Sequence, residues 1–120
     1  MNGEPVLYGI PHCDTVKRAR AWLDGQGLAY AFHDFKKSGV PLPGLDLWLA
    51  AAGWEALLNR KGSTWRKLDD AQRAAAADEA GARALMLAQP SVIKRPVVQW
   101  PDGGISVGFD VDDWARRVKA

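Results

Sequence analysis

The chain has one cysteine, Cys13, set in Gly9-Ile10-Pro11-His12-Cys13-Asp14-Thr15, and its neighbours decide what a sulfur can do there. Val6 to Ile10 is a short apolar run that reads as a buried strand, and Pro11 ends it. After the cysteine, Val16, Ala19 and Leu23 recur at i, i+3 and i+7, while Lys17, Arg18 and Arg20 take the opposite side. That is the pattern of an amphipathic helix, with Asp14 or Thr15 suited to cap its first turn. The thiol therefore falls where a strand gives way to a helix, beside free backbone N–H groups and the positive end of the helix dipole, both of which stabilise a thiolate. A lone cysteine is more often a small buried hydrophobe. This one lies off the apolar stripe, in a polar turn, which favours a reactive thiol. His12 beside it could lower the thiol pKa as an imidazolium, although a histidine in such a turn is more often simply solvated. His33, by contrast, reads as a structural residue on a strand.

Composition narrows the classes of function. With 120 residues, 48% of them hydrophobic, the chain has enough for one core, and it reads as a single domain over 1–120. A net charge of +2 is too small to indicate nucleic-acid binding. No apolar stretch is long enough to span a bilayer, and the first residues lack a signal-peptide pattern. One cysteine excludes an internal disulfide and points to a reducing compartment, so a cytoplasmic location is expected, with no membrane partner.

The elements that must position Cys13 follow from the rest of the chain. Residues 5–10 read as a strand, 15–26 as a helix, and 28–35 as a second strand rich in aromatics, together a βαβ unit with parallel strands. Residues 36–43 read as a loop. From about 43 to 89 the pattern is helical: Leu45 to Ala52 ending at Gly53, a turn or two at Trp54 to Leu58, another at Trp65 to Leu68, and an alanine-rich helix over 69–88. In that last helix Gly81 reads as a break or a close-packing point, and Leu85 and Met86 as core anchors. Val97 to Trp100 reads as a third strand, Pro101-Asp102-Gly103-Gly104 as a hairpin turn, and Ile105 to Phe109 as a returning antiparallel strand. Asp110 then caps a last helix with Val111, Trp114, Ala115 and Val118 inward. The order predicts an α/β, thioredoxin-like fold: a mixed four-stranded sheet, βαβ then ββα, with a helical insertion between strands 2 and 3.

Three stretches carry a family resemblance: Tyr8 to Thr15, Leu57-Leu58-Asn59-Arg60-Lys61-Gly62-Ser63-Thr64-Trp65-Arg66-Lys67-Leu68, and Pro90-Ser91-Val92-Ile93-Lys94-Arg95-Pro96-Val97-Val98. With them the chain resembles the arsenate reductase-like family, which includes the ArsC, Spx and YffB types, and it looks most like the YffB type. The resemblance implies that Cys13 is the nucleophile, that Arg95 binds the anionic substrate, and that the following Pro96 is cis. Two places depart from true arsenate reductases. Asn59 stands where they carry an arginine, with Arg60 one step along, and Val107-Gly108-Phe109 stands where another arginine is expected. An oxyanion site short of one charge-assisted hydrogen bond binds more weakly by about 1.5–3 kcal/mol, which argues against arsenate as substrate. Redox-sensing Spx proteins often carry Cys-x-x-Cys; here the fourth position is Val16.

The expectation is an oxidoreductase: a glutathione-dependent thiol reductase in which Cys13 and Arg95 are catalytic and Pro96, Lys94, Arg60 and His12 contact substrate. Lacking a resolving cysteine, it needs an external thiol to clear a mixed disulfide. Glutathione suits that role, with two carboxylates to meet the basic loops at Lys36-Lys37 and Arg60-Lys61. No resident cofactor or metal is expected; the partners are glutathione or a small oxidised substrate, and a glutaredoxin among proteins, with no direct nucleic-acid contact. The alternatives are an Spx-like adaptor that binds a partner such as RNA polymerase through exposed helices around Trp48 and Trp54, and a true arsenate reductase.

Overall fold

The strand β1, Val6–Gly9, carries the sheet. It pairs in parallel with β2, Ala31–Asp34, and antiparallel with β3, Val97–Gln99, which in turn pairs antiparallel with β4, Ile105–Val107. The order β2-β1-β3-β4 makes a mixed four-stranded sheet of the thioredoxin-like kind, as the sequence predicts. The structure, a computed structural model, describes residues 4–119. Its chain divides into two compact units, one built from the residues up to Asp34 together with those from Arg95 onward, the other from Phe35–Lys94.

In the sheet unit, α1, Asp14–Gly25, and α8, Val111–Lys119, pack on the sheet. Their core joins Leu7 and Val98 to Val16, Ala19 and Leu23 of α1 and to Trp100 and Trp114. Trp114 is fully buried and meets Trp100 and Phe109 edge-on, with ring centroids 5.2 and 4.7 Å apart, the geometry aromatic quadrupoles favour. The Trp100 indole donates to Ser106 Oγ at 2.9 Å, so that buried pair is satisfied. Asp110 caps α8 through the N–H groups of Asp112 and Asp113. Val111, expected inward, is 47% exposed: it opens the helix on the solvent side of the stripe that Trp114 and Val118 occupy. The second strand is also shorter than the alternation suggests. Leu28 N–H bonds to Leu23 O at 3.2 Å, finishing α1, and the Tyr30 hydroxyl accepts from Arg20 Nε at 3.0 Å, so Leu28 and Tyr30 sit against the core without joining the ladder.

The second unit is helical: α2 Phe35–Ser38, α3 Leu42–Ala52, α4 Trp54–Leu57, α5 Ser63–Lys67, α6 Asp70–Ala75, α7 Glu79–Ala88 and a 3-10 turn Pro90–Val92. Residues 36–43, expected as a loop, begin with a helical turn closed by Gly39 N–H on Phe35 O at 2.9 Å. Trp48 is fully buried with the Phe35 ring 6.0 Å away, so it belongs to the core and not to an exposed docking face. The alanine-rich stretch is two helices and not one, because two aspartates each begin their own. Asp69 forms a capping box with Gln72, and Asp78 accepts from the Gly81 N–H; cap hydrogen bonds outweigh the small propensity gain of continuing through alanine. Of the expected anchors Met86 is buried and Leu85 only half so; Ala82, one turn before Met86, takes the other inward position.

Gly81 does not break α7. A Cβ built on it would overlap the carbonyl oxygen of Ala75, where α6 ends. The Gly81→Ala variant is therefore expected to lose about 1–3 kcal/mol despite alanine's better helix propensity, read as a lower urea midpoint with an unchanged slope.

Candidate active site

The turn Pro11-His12 is closed by the Cys13 N–H on Ile10 O at 3.3 Å, and Cys13 O accepts from Lys17 N–H at 2.9 Å. That makes Cys13 itself the N-cap of α1, with φ −90° and ψ 126°. Asp14 and Thr15, expected as caps, lie inside the first turn. The cap residue is the one whose side chain faces the free N–H groups, so this shift of one residue sets a sulfur where an oxygen is expected. No side chain closes the cap with a hydrogen bond of full geometry; the sulfur instead lies among the N–H dipoles.

The electrostatics have opposing parts. Burial of the half-exposed thiol pushes its pKa up, but the Val16 N–H, a hydrogen bond from the Arg95 side chain, the positive charge of Arg95 and the Thr15 N–H push it down, and together they prevail. The Cys13 pKa lies below that of an ordinary thiol, favouring the thiolate. Arg95 reaches the sulfur from the chain entering β3, and the Arg95–Pro96 peptide is cis. The Pro96 carbonyl accepts from Gly108 N–H at 2.9 Å, tying the segment to the end of β4. The exposed His12 stands on the turn and is not among the groups that shift the thiol.

Gly9 is a contributor that residue pattern alone does not reveal. A Cβ there would lie 2.9 Å from Val16 Cγ2, and Val16 is fully buried and β-branched, with little freedom to rotate away. Glycine thus lets the first turn of α1 approach the end of β1. In Gly9→Ala, Val16 must move and carry its N–H off the sulfur; pH-dependent alkylation should show a higher thiol pKa than in the wild type.

The other two expected substrate-binding cations lie in the helical unit, where Arg60 and Lys94 line one recess. Asn59, the residue in place of an arginine, is occupied there as a brace: its Oδ1 accepts from Lys61 N–H at 3.1 Å.

A thiol at a helix start, met by the arginine that precedes a cis proline on a mixed four-stranded sheet, is an arrangement of the thioredoxin-like kind, and a model of the ArsC family matches residues 8–117. The chain belongs to the ArsC family. Among solved structures it is similar to a YffB protein, with 53% identity and a TM-score of 0.88 over 94% of this chain and 97% of that one. It is also similar to an arsenate reductase-related protein from Brucella melitensis, with 46% identity and a TM-score of 0.75 over 100% and 98% of the two chains. An uncharacterized protein of Haemophilus influenzae is 34% identical over 91% of this chain and 94% of its own. Among the described residues, no helix is long and apolar enough to cross a membrane.

Proposed function

We propose that this protein is a glutathione-dependent thiol reductase acting through Cys13. The observation that carries the reading is the placement of a half-exposed thiol at the N-cap of α1, among its first N–H groups and against the Arg95 guanidinium, which together favour the thiolate. Cys13 thiolate attacks the glutathione sulfur of a mixed disulfide between glutathione and a substrate thiol; a new S–S bond forms to Cys13 and the substrate leaves as thiolate. The sequence has no second cysteine to resolve that bond. A glutathione thiolate then attacks it, restoring Cys13 and releasing oxidised glutathione. One free glutathione is consumed per cycle: the substrate sulfur is reduced to its thiol, and the free glutathione's sulfur is oxidised as it joins the glutathione taken from the substrate. Arg95 stabilises the thiolate as attacker and again as leaving group.

Incubation with oxidised glutathione followed by intact-mass measurement tests this. Rapid addition of one glutathione at Cys13, removed by reduced glutathione, is expected. A thiol that stays unmodified over hours would overturn the reading.

A further inference from the structure

Two separate stretches of the helical unit are tied by their backbones. The Leu58–Ile93 bridge is flanked by hydrogen bonds from Lys94 N–H to Leu57 O at 2.8 Å and from Asn59 N–H to Val92 O at 2.7 Å. This pairing sets Arg60, Lys61 and Lys94 around one recess of about 360 Å³, which Glu55 also lines. The loop is braced: besides the Asn59 hydrogen bond, the Lys61 carbonyl accepts from the Arg66 guanidinium at 2.6 Å. The Arg60 guanidinium lies over the Trp54 ring, 5.5 Å from its centroid.

The charges around this recess are unbalanced. Among the described residues no ion pair involves Arg60, Lys61, Lys94 or Glu55. Three cations against one carboxylate leave the recess net positive, which favours a bound carboxylate. A single carboxylate in the same wall would repel a plain dianion but would accept from an ammonium.

We infer that the recess binds the free α-amino-acid end of a γ-glutamyl compound, its carboxylate on Lys94, Arg60 and Lys61 and its ammonium on Glu55. Glutathione has such an end, and naming it as the ligand rests on the reductase reading above; the charge pattern of the recess does not. Arg60 and Lys94 are then binding residues, and Trp54 and Asn59 position them.

S-methylglutathione, which cannot form a disulfide, is the probe, titrated calorimetrically into the full chain. Saturable binding is expected, weakened about tenfold by Lys94→Ala and by Arg60→Ala. N-acetylation of the probe's α-amine should weaken binding to the wild type, and Glu55→Gln should abolish that preference. All three substitutions are at exposed positions, so the variants should fold, which circular dichroism checks. Absence of binding, equal binding to all variants, or indifference to N-acetylation would each overturn the inference, as would inorganic phosphate displacing the probe at equal concentration. Reaction of Cys13 with oxidised glutathione, measured on the same samples, separates the two ideas. A reactive Cys13 with an indifferent recess removes only this site, whereas an inert Cys13 with the expected binding pattern removes only the reductase reading.

Discussion

Replacing Cys13 with serine is expected to reduce thiol-disulfide turnover by at least about a thousandfold. The hydroxyl of serine is neutral at physiological pH and is a poor nucleophile toward sulfur, and no other sulfhydryl in the chain can substitute. Serine also caps helices well, so the variant should fold with stability close to that of the wild type. The comparison therefore isolates chemistry from folding. Coupled assays with a glutathione mixed disulfide as substrate, run beside urea melts, provide both measurements. Turnover in Cys13→Ser within tenfold of the wild type would show that the reaction does not pass through this sulfur.

Replacing Arg95 with alanine should raise the Cys13 pKa. The thiol loses a hydrogen bond and a positive charge that both favour its ionised form, while burial, which opposes ionisation, remains. Alkylation by iodoacetamide at pH 7 is expected to slow several-fold, and its pH midpoint to move toward that of an ordinary thiol. At high pH, where both proteins are fully ionised, the gap should close. Arg95→Lys should recover only part of the loss, because lysine keeps the charge and gives up the planar fork. The sign carries over to stability. A thiol pKa lower in the folded than in the unfolded chain adds stability that is present above the unfolded pKa and lost as pH falls through the folded one. Arg95→Ala should therefore flatten that part of the stability profile, a change denaturant titrations at several pH values would resolve. An unchanged alkylation midpoint would remove Arg95 from the thiolate's environment.

These two residues also show how far the chain can be read without coordinates. Cys13 is legible because its surroundings are local: a proline-stopped apolar run before it and an i, i+3, i+7 stripe after it leave few places for the sulfur. Arg95 comes from the resemblance, since nothing in Lys94-Arg95-Pro96 by itself says which of two cations faces a thiol 82 residues earlier in the numbering. The exact cap is not legible. Asp14 and Thr15 both suit the start of a helix, and only the closure of the Pro11-His12 turn by the Cys13 N–H puts the preceding cysteine there instead. Gly9 escapes notice for a related reason: its value lies in the distance to Val16, a packing fact with no trace in composition.

The helical unit divides the same way. Periodicity locates α3 and the helical character of the alanine-rich stretch, but not the division of that stretch. There the choice depends on whether the side chains of Asp69 and Asp78 turn back onto the backbone. Arg60 and Lys94 each stand out in sequence as separate charges. Glu55 and Lys61 lie near Arg60 in the chain, whereas Lys94 meets them in one recess through the Leu58–Ile93 bridge.

By itself, then, the sequence determined the order of the strands and of the two helices that pack on them, the parallel start and antiparallel finish of the sheet, and the position of the one thiol at a strand-to-helix turn. Each of these rests on interactions among residues within a few positions of one another, or on the burial of a periodic apolar face. Tertiary structure alone decided which atom caps α1, which cation reaches the sulfur, and which charges share a recess. Those outcomes depend on distances between groups far apart in the chain, and charge–dipole and charge–charge energies change over a few ångströms. Residue types and spacing do not record such distances.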